Sequence, residues 1–273
     1  MFSDYHTHTI YSNHGKGHPR EMAAIAVERG MPALGFSEHF PLPEGFTEPS
    51  GTANMRWEQI EQYIREVREA QEEFGSRLKI LLGYEVDYLP TADEVMRANL
   101  AKYSPDYKVG SIHIVDRFRS DHENWLIDYS PGIFEEGLEE NGGPEAVYRR
   151  YYELVRDYAR AHDHAIVGHL DLIKKYNAGG RYFDLNGNDY LSQVEATLDV
   201  LKAAGKIVEI NTAGLFKEIG ELYPSDRVLQ MMLERRLPIC LSSDAHQPGH
   251  VAREFSSTWD KLIKMGFEQL TGL

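Results

Sequence analysis

Histidines and carboxylates recur along this chain in short polar clusters set against apolar runs. The first is Asp4-Tyr5-His6-Thr7-His8, where strand alternation would put Asp4, His6 and His8 on one face. Two imidazoles at i and i+2 on a strand can reach one metal ion. His14 follows in the turn Asn13-His14-Gly15, then come Ser37-Glu38-His39, Glu85, His113, Gly168-His169-Leu170-Asp171 and Ser242-Ser243-Asp244-Ala245-His246. Each residue alone has an ordinary explanation. A strand-end histidine is more often a hydrogen-bonded structural residue, Glu85 could be an ion pair, and Asp244 a turn cap. Seven histidines and two carboxylates facing one cavity without metal would, however, carry a costly load of buried polarity. Metal satisfies their lone pairs. The set His6, His8, His14, His39, Glu85, His113, His169, Asp244 and His246 exceeds the roughly three or four protein groups that one zinc takes. Two to three divalent ions are therefore expected, with a carboxylate bridging. Nitrogen and oxygen ligation fits Zn, Fe or Mn, whereas Mg and Ca would want mostly oxygen.

Residues as far apart as His6 and His246 need a fold that gathers strand ends. Short β-branched runs alternate with stretches of helical period, the pattern of successive β/α units. Strands are expected over 2–8, 33–37, 78–86, 107–112, 165–169, 207–211 and 238–241. Helices are expected over 19–29, 56–74, 92–102, 144–161, 188–204, 225–235 and 257–265. Pro19 and Pro144 suit first-turn positions, Thr91 can cap the helix from Ala92, Ser225 follows Pro224, and Gly30 and Gly205 suit C-terminal stops. Seven strands, each followed by a helix, point to an α/β fold of the closed or nearly closed barrel kind. No glycine-rich loop follows the first strand, which disfavours a dinucleotide-binding sheet. In a β/α barrel the C-terminal strand ends share one mouth, and six of these seven supply His, Asp or Glu. The segment 116–143 is longer and more acidic than a usual connection and reads as an active-site loop or a surface excursion. No linker or repeat divides the chain, so residues 1–273 are read as one domain.

Composition narrows the function further. A formal charge of −14 argues against nucleic acid, which is bound through surplus Lys and Arg. No apolar run approaches the roughly 18 residues of a membrane span, and the first residues lack the basic and apolar regions of a signal peptide. A cytoplasmic location is expected. Cys240, the single cysteine, excludes an internal disulfide and a thiolate cluster, and its apolar neighbours mark it as a buried strand residue. His162 and His164 are read as structural, His18, His122 and His250 as surface residues, and the run Glu58 to Glu73 as a charged helix face.

With those residues in place the chain resembles the polymerase and histidinol phosphatase (PHP) superfamily. His6-Thr7-His8, His14, Ser37-Glu38-His39, Glu85, His113, Gly168-His169 and Ser243-Asp244-Ala245-His246 match its four motifs in order across nearly the whole chain. The resemblance implies a distorted (β/α)7 TIM-like barrel and a trinuclear metal site. One ion would take His6, His8, Glu85 and Asp244, a second Glu85, His113 and His169, and a third His14, His39 and His246. The stretches 168–176, 209–215, 223–225 and 242–246 are similar to the superfamily's histidinol-phosphate phosphatases in particular. That implies hydrolysis of L-histidinol phosphate, a small-molecule phosphate monoester, in the penultimate stage of histidine biosynthesis. A metal-bridged hydroxide would attack phosphorus in line, with Glu85, Asp244 and His246 as catalytic residues. Arg181 and Lys217 are the candidate cations for the phosphate. Asn13 stands where a carboxylate could have served as leaving-group acid, so the proton donor stays open. The nearest rival is another PHP phosphoesterase acting on nucleotides or phosphodiesters. More distant rivals are an amidohydrolase, which wants a carbamylated lysine or equivalent bridge, and a non-catalytic metal protein. A homo-oligomer is left open.

Overall fold

The computed structural model describes residues 1–44, 46, 53–117, 124–163 and 165–273. Its strands are β1 (Ala33–His39), β2 (Lys79–Asp87), β3 (Tyr107–Ser111), β4 (Ile114–Arg117), β5 (Asn124–Leu126), β6 (Ile166–Val167), β7 (Ile207–Asn211) and β8 (Ile239–Ser242). Its helices are α1 (Pro19–Glu28), α2 (Ile60–Phe74), α3 (Asp93–Leu100), α4 (Pro131–Glu140), α5 (Pro144–Ala161), α6 (Asn188–Ala203), α7 (Asp226–Arg235) and α8 (Phe255–Met265). Six strands form one parallel sheet in the order β1-β2-β3-β6-β7-β8.

The expected first strand, 2–8, is not a regular strand. Its residues make single parallel bridges, Asp4 to Leu34 at the β1 edge and Thr7 to Ala245 just past β8. Three further backbone bonds mark the same path: Gly35 N–H to Asp4 O at 2.8 Å, Ser37 N–H to Thr7 O at 2.9 Å, and His8 N–H to Ala245 O at 2.8 Å. Segment 4–8 therefore spans the gap between the two edges of the sheet and closes the barrel. Its ladder is interrupted because side chains take amides that a strand would use. Asp4 Oδ1 accepts the His6 N–H and Ser37 Oγ the Thr7 N–H.

Alternation fills the barrel interior below and builds the site above. One face of β1 carries Ala33, Gly35, Ser37 and His39, and one face of β2 carries Leu81, Gly83, Glu85 and Asp87. Tyr107 of β3 packs with Tyr5, Ala33, Val109, Ile166 and Cys240. Its ring occupies the space that side chains at 35 and 83 would need, since a Cβ there would lie 2.4 and 2.3 Å from ring or hydroxyl atoms. Cys240 is buried, as its neighbours predict.

Helix boundaries follow local chemistry. Pro19 and Pro144 occupy first-turn positions, and Gly30 and Gly205 take left-handed backbone after α1 and α6. Thr91 does not cap α3, which starts at Asp93 with Ala92 in the cap position. The excursion after β3 is more ordered than a loop. β4 and β5 pair as an antiparallel hairpin, and α4 follows with Ser130 Oγ accepting the Ile133 N–H and Pro131 in the first turn. Trp125 is fully buried against Gly137 of α4, where a Cβ would fall 2.0 Å from the indole. Among the described residues, no helix is long and apolar enough to cross a membrane. His122 and His164 lie outside the described residues.

Candidate metal centre

Glu85 stands at the centre of the barrel mouth, 1% exposed, on the last turn of pleat of β2. Its two carboxylate oxygens face different imidazoles. Oε2 lies 2.9 Å from His39 Nδ1, 3.2 Å from His6 Nε2 and 3.5 Å from His8 Nε2. Oε1 lies 2.9 Å from His169 Nε2 and 3.6 Å from His113 Nε2, and accepts a bond from Ser111 Oγ at 2.5 Å. A carboxylate so placed could reach two cations at once. Asp244 lies opposite in left-handed backbone, its Oδ1 3.3 Å from His8 Nε2, 3.8 Å from His6 Nε2 and 3.6 Å from His246 Nδ1. The His8 ring stacks on those of His39 and His246, with centroids 4.4 and 4.3 Å apart.

Four triads bring one ligand atom per residue within 4.8 Å of each other: His6-His8-Asp244, His6-Glu85-His169, His39-Glu85-His113 and His8-His39-His246. All nine expected residues converge, with His14 at the margin, its ring 4.4 Å from His246 and 5.5 Å from His39.

Outer contacts orient several of these rings. His6 Nδ1 meets Glu209 Oε2 at 2.8 Å, His113 Nδ1 meets Asp87 Oδ1 at 2.8 Å, His246 Nδ1 meets Asp244 O at 2.9 Å, and His14 Nδ1 meets Ser12 O at 2.8 Å. With Nδ1 engaged outside, Nε2 is the atom left for a ligand. Glu209 is fully buried and also accepts from His169 N–H, Ser242 Oγ and Asn211 Nδ2. Sequence reasoning missed Glu209 and Asp87 as supports. The available signal was an acid inside the apolar strand Ile207-Val208-Glu209-Ile210-Asn211, and another two residues past Glu85 on the same face. Asp4, expected beside His6 and His8, is structural instead. Its carboxylate accepts from Ser243 N–H and Oγ and from Ala252 N–H, which pins the β8 loop.

Electrostatics match a cation site. Burial opposes the charge on Glu85, yet His6, His39 and His113 hold its carboxyl well below the usual range. Burial and His6 act in the same opposed way on Asp244, with the same outcome. Burial also opposes the charge on His113, but Asp87 and Glu85 push it up to about 10. Burial drives His246 down to about 4 against the pull of Asp244. Among the described residues, His6 Nε2, both ring nitrogens of His8, Glu85 Oε2 and His246 Nε2 are buried without a well-formed hydrogen bond. Such orphaned atoms are expensive unless a cation completes them. The donor set fits a divalent metal.

The cluster opens on a cavity of about 580 Å³ whose other walls include Asp128, Tyr129, Lys175, Phe216, Lys217 and Arg253. Lys217 lines it, as expected. Arg181 does not: its guanidinium lies over the Tyr182 ring and 3.4 Å from Glu135, on the protein surface. Asn177 Oδ1 accepts the N–H groups of Tyr182 and Phe183 and so fixes that loop away from the mouth. His250, expected at the surface, lines the cavity, whereas His162 packs beside Asp93 and His18 pairs with Glu66. Asn13 is no part of the cavity wall, and its Nδ2 donates to Asn54 O.

A parallel β/α barrel with imidazoles and carboxylates gathered at its strand ends defines a metal-dependent hydrolase of the barrel class. Residues 4–213 match the PHP domain model, and the chain belongs to that family. It is 34% identical to a probable histidinol-phosphatase of Deinococcus radiodurans, over 98% of this chain and 95% of that one. It is 30% identical to the histidinol-phosphatase of Bacillus subtilis, over 93% and 97%. Its fold superimposes on a Listeria monocytogenes protein described as a histidinol phosphatase, with a TM-score of 0.86, 27% identity and coverage of 93% and 99%. A Lactococcus lactis histidinol phosphate phosphatase, solved with zinc, L-histidinol and phosphate, shares the fold at a TM-score of 0.73 and 21% identity, over 98% and 95%.

Proposed function

We propose that this chain is a histidinol-phosphatase, hydrolysing L-histidinol phosphate to L-histidinol and phosphate with two to three divalent ions. The observation that carries the reading is Glu85, whose two oxygens face five imidazoles at the floor of a cavity that also holds lysine and arginine. Full-length relatives named for that activity support the choice of substrate. His6, His8 and Asp244 with Glu85 Oε2 would hold one ion, and His113 and His169 with Glu85 Oε1 a second. His39 and His246 would hold a third with His14, although the stacked His8 ring competes for that role. Zinc is the first candidate, because it is present in the Lactococcus lactis structure, with iron and manganese suited to the same donors.

When bound, such ions make water nucleophilic near neutral pH and offset charge on the phosphoryl oxygens. The protein supplies the rest. Glu209, Asp87 and the Ser12 carbonyl hold the rings in line, and the backbone carbonyl of Asp244 holds His246. Lys175, Lys217 and Arg253 add positive charge to the walls where a phosphate would lie. Tyr129 and Phe216, 52% and 44% exposed at the rim, suit a flat heteroaromatic ring. His250, also on the wall, adds a titratable group near that rim. A place in histidine biosynthesis and a cytoplasmic setting follow from this reading.

The decisive test combines metal analysis with phosphate release from L-histidinol phosphate, beside a panel of nucleotides and sugar phosphates. Two to three ions per chain and strong preference for histidinol phosphate are expected. A fully metallated protein that turns over only nucleotides, or nothing, would overturn the assignment. The net charge of −14 already disfavours polynucleotide substrates.

A further inference from the structure

Among its described residues, the hairpin excursion delivers one acidic side chain to the cavity, Asp128, two residues past β5. Its backbone carbonyl is anchored by Lys175 Nζ at 2.6 Å and by Tyr176 Oη at 2.7 Å. Lys175 Nζ also pairs with carboxylate oxygen Oδ2 at 3.0 Å. Among the described residues, no hydrogen bond reaches the other oxygen, Oδ1, and the side chain is 26% exposed, towards the cavity it lines. The group is held rigidly, and one oxygen is left for a ligand. It also lies near the cluster. His113 and His169 join Lys175 in keeping its carboxyl ionised against burial.

A phosphate at the barrel mouth fixes where the remainder of an ester must go. In L-histidinol phosphate the ammonium sits on the carbon next to the ester methylene, so it stays within a few ångströms of the phosphorus. A cation that close to the metal cluster needs a carboxylate not already claimed by metal or by a ring nitrogen. Glu85 and Asp244 face imidazoles, and Asp87 is taken by His113. Among the described residues that line the wall, Asp128 is the acid that remains.

Resting on the phosphatase reading above, we infer that Asp128 Oδ1 is the subsite for the substrate's ammonium, with Lys175 holding the carboxylate and facing the phosphate. The site thereby selects phosphate esters of vicinal amino alcohols over phosphates that lack the amine. A neutral or missing amine leaves Oδ1 facing the phosphate dianion without compensation, which is the basis of the discrimination.

The test compares L-histidinol phosphate with 3-(imidazol-4-yl)propyl phosphate, which keeps the ring and the ester but lacks the amine. The wild-type protein should prefer the aminated ester by roughly ten- to a hundredfold in kcat/KM, the range of one charged hydrogen bond. Asp128→Asn should shrink that ratio towards one, mostly through KM for the aminated ester, with metal content unchanged. Asp128→Glu should restore part of it. Equal wild-type activity on both esters would overturn the subsite while leaving the phosphatase reading intact, and it requires no variant to fold. An unchanged ratio in Asp128→Asn would overturn it as well. Wild-type inactivity on both esters would instead remove the substrate reading, and the subsite with it.

Discussion

Glu85 presents one oxygen to the imidazoles of the first segment and β1, and the other to those beyond β3 and β6. An amide offers one acceptor and one donor, so it fails on one side whichever way it is turned. Glu85→Gln should lose metal and reduce kcat by at least about a thousandfold, measured by metal analysis and phosphate release. Glu209→Gln should act more gently, because Glu209 touches His6 and not the cavity. Metal affinity should fall roughly 10–100-fold with the fold retained, read by competition with a chromogenic chelator. Glu38 makes a pH prediction. Burial lifts its carboxyl to about 7, against 4.5 for an ordinary glutamate. The folded protein thus holds that proton more tightly than the unfolded chain, and stability falls as pH rises from about 4.5 to about 7, then levels. Metal-free Glu38→Gln should match the wild type near pH 4.5 and gain on the order of 2–3 kcal/mol at pH 8, by urea denaturation. At this scale the histidine clusters were legible because strand alternation and motif order are local. Glu209 was not, since an acid inside an apolar strand has no assigned role until the closing segment is known to bring His6 against it. Arg181 was misread because sequence gives no direction for a loop, and Asn177 turns that one outward.

Among the elements, the hairpin β4–β5 with α4 is the one that a barrel does not require, and it supplies Ile114, Leu126, Asp128 and Tyr129 to the cavity. Its attachment depends on Gly137 leaving room for Trp125. Gly137→Ala should cost about 1–3 kcal/mol of stability. Its distinguishing mark should be a raised KM for the phosphate ester with unchanged metal content, because the wall moves and the ligands do not. Kinetics on metal-quantified protein checks this. In sequence the segment reads as an active-site loop or a surface excursion, yet its Ser130-Pro131 start carries the signature of a helix N-terminus. Gly132 and Gly137 weakened the helical signal, and the second glycine is explained only by the indole packed on it. The closing segment 4–8 was legible as a strand from alternation. Its broken ladder was not, because the side chains that intercept its amides belong partly to β1.

Among the described residues, the mouth gathers unsatisfied nitrogens of His6, His8 and His246 and a carboxylate oxygen of Glu85, so the stability of the whole molecule should depend on metal. A thousandfold excess of metal over its dissociation constant contributes about 4 kcal/mol. Chelation should lower Tm by about 10 °C for a chain of this size, as calorimetry with and without chelator would record, and restored metal should reverse the shift. Two of the site's candidate ligands, His6 and His8, ride on the segment that joins β1 to the loop past β8. Asp4 reaches Ser243 across 239 positions of sequence. On the ribosome this stave is made more than two hundred residues before its far neighbour, so it can be seated only once residues 243–245 have been added. A chain stopped before residue 243 keeps both histidines yet has no mouth to put them in, and it should be silent towards metal and substrate alike.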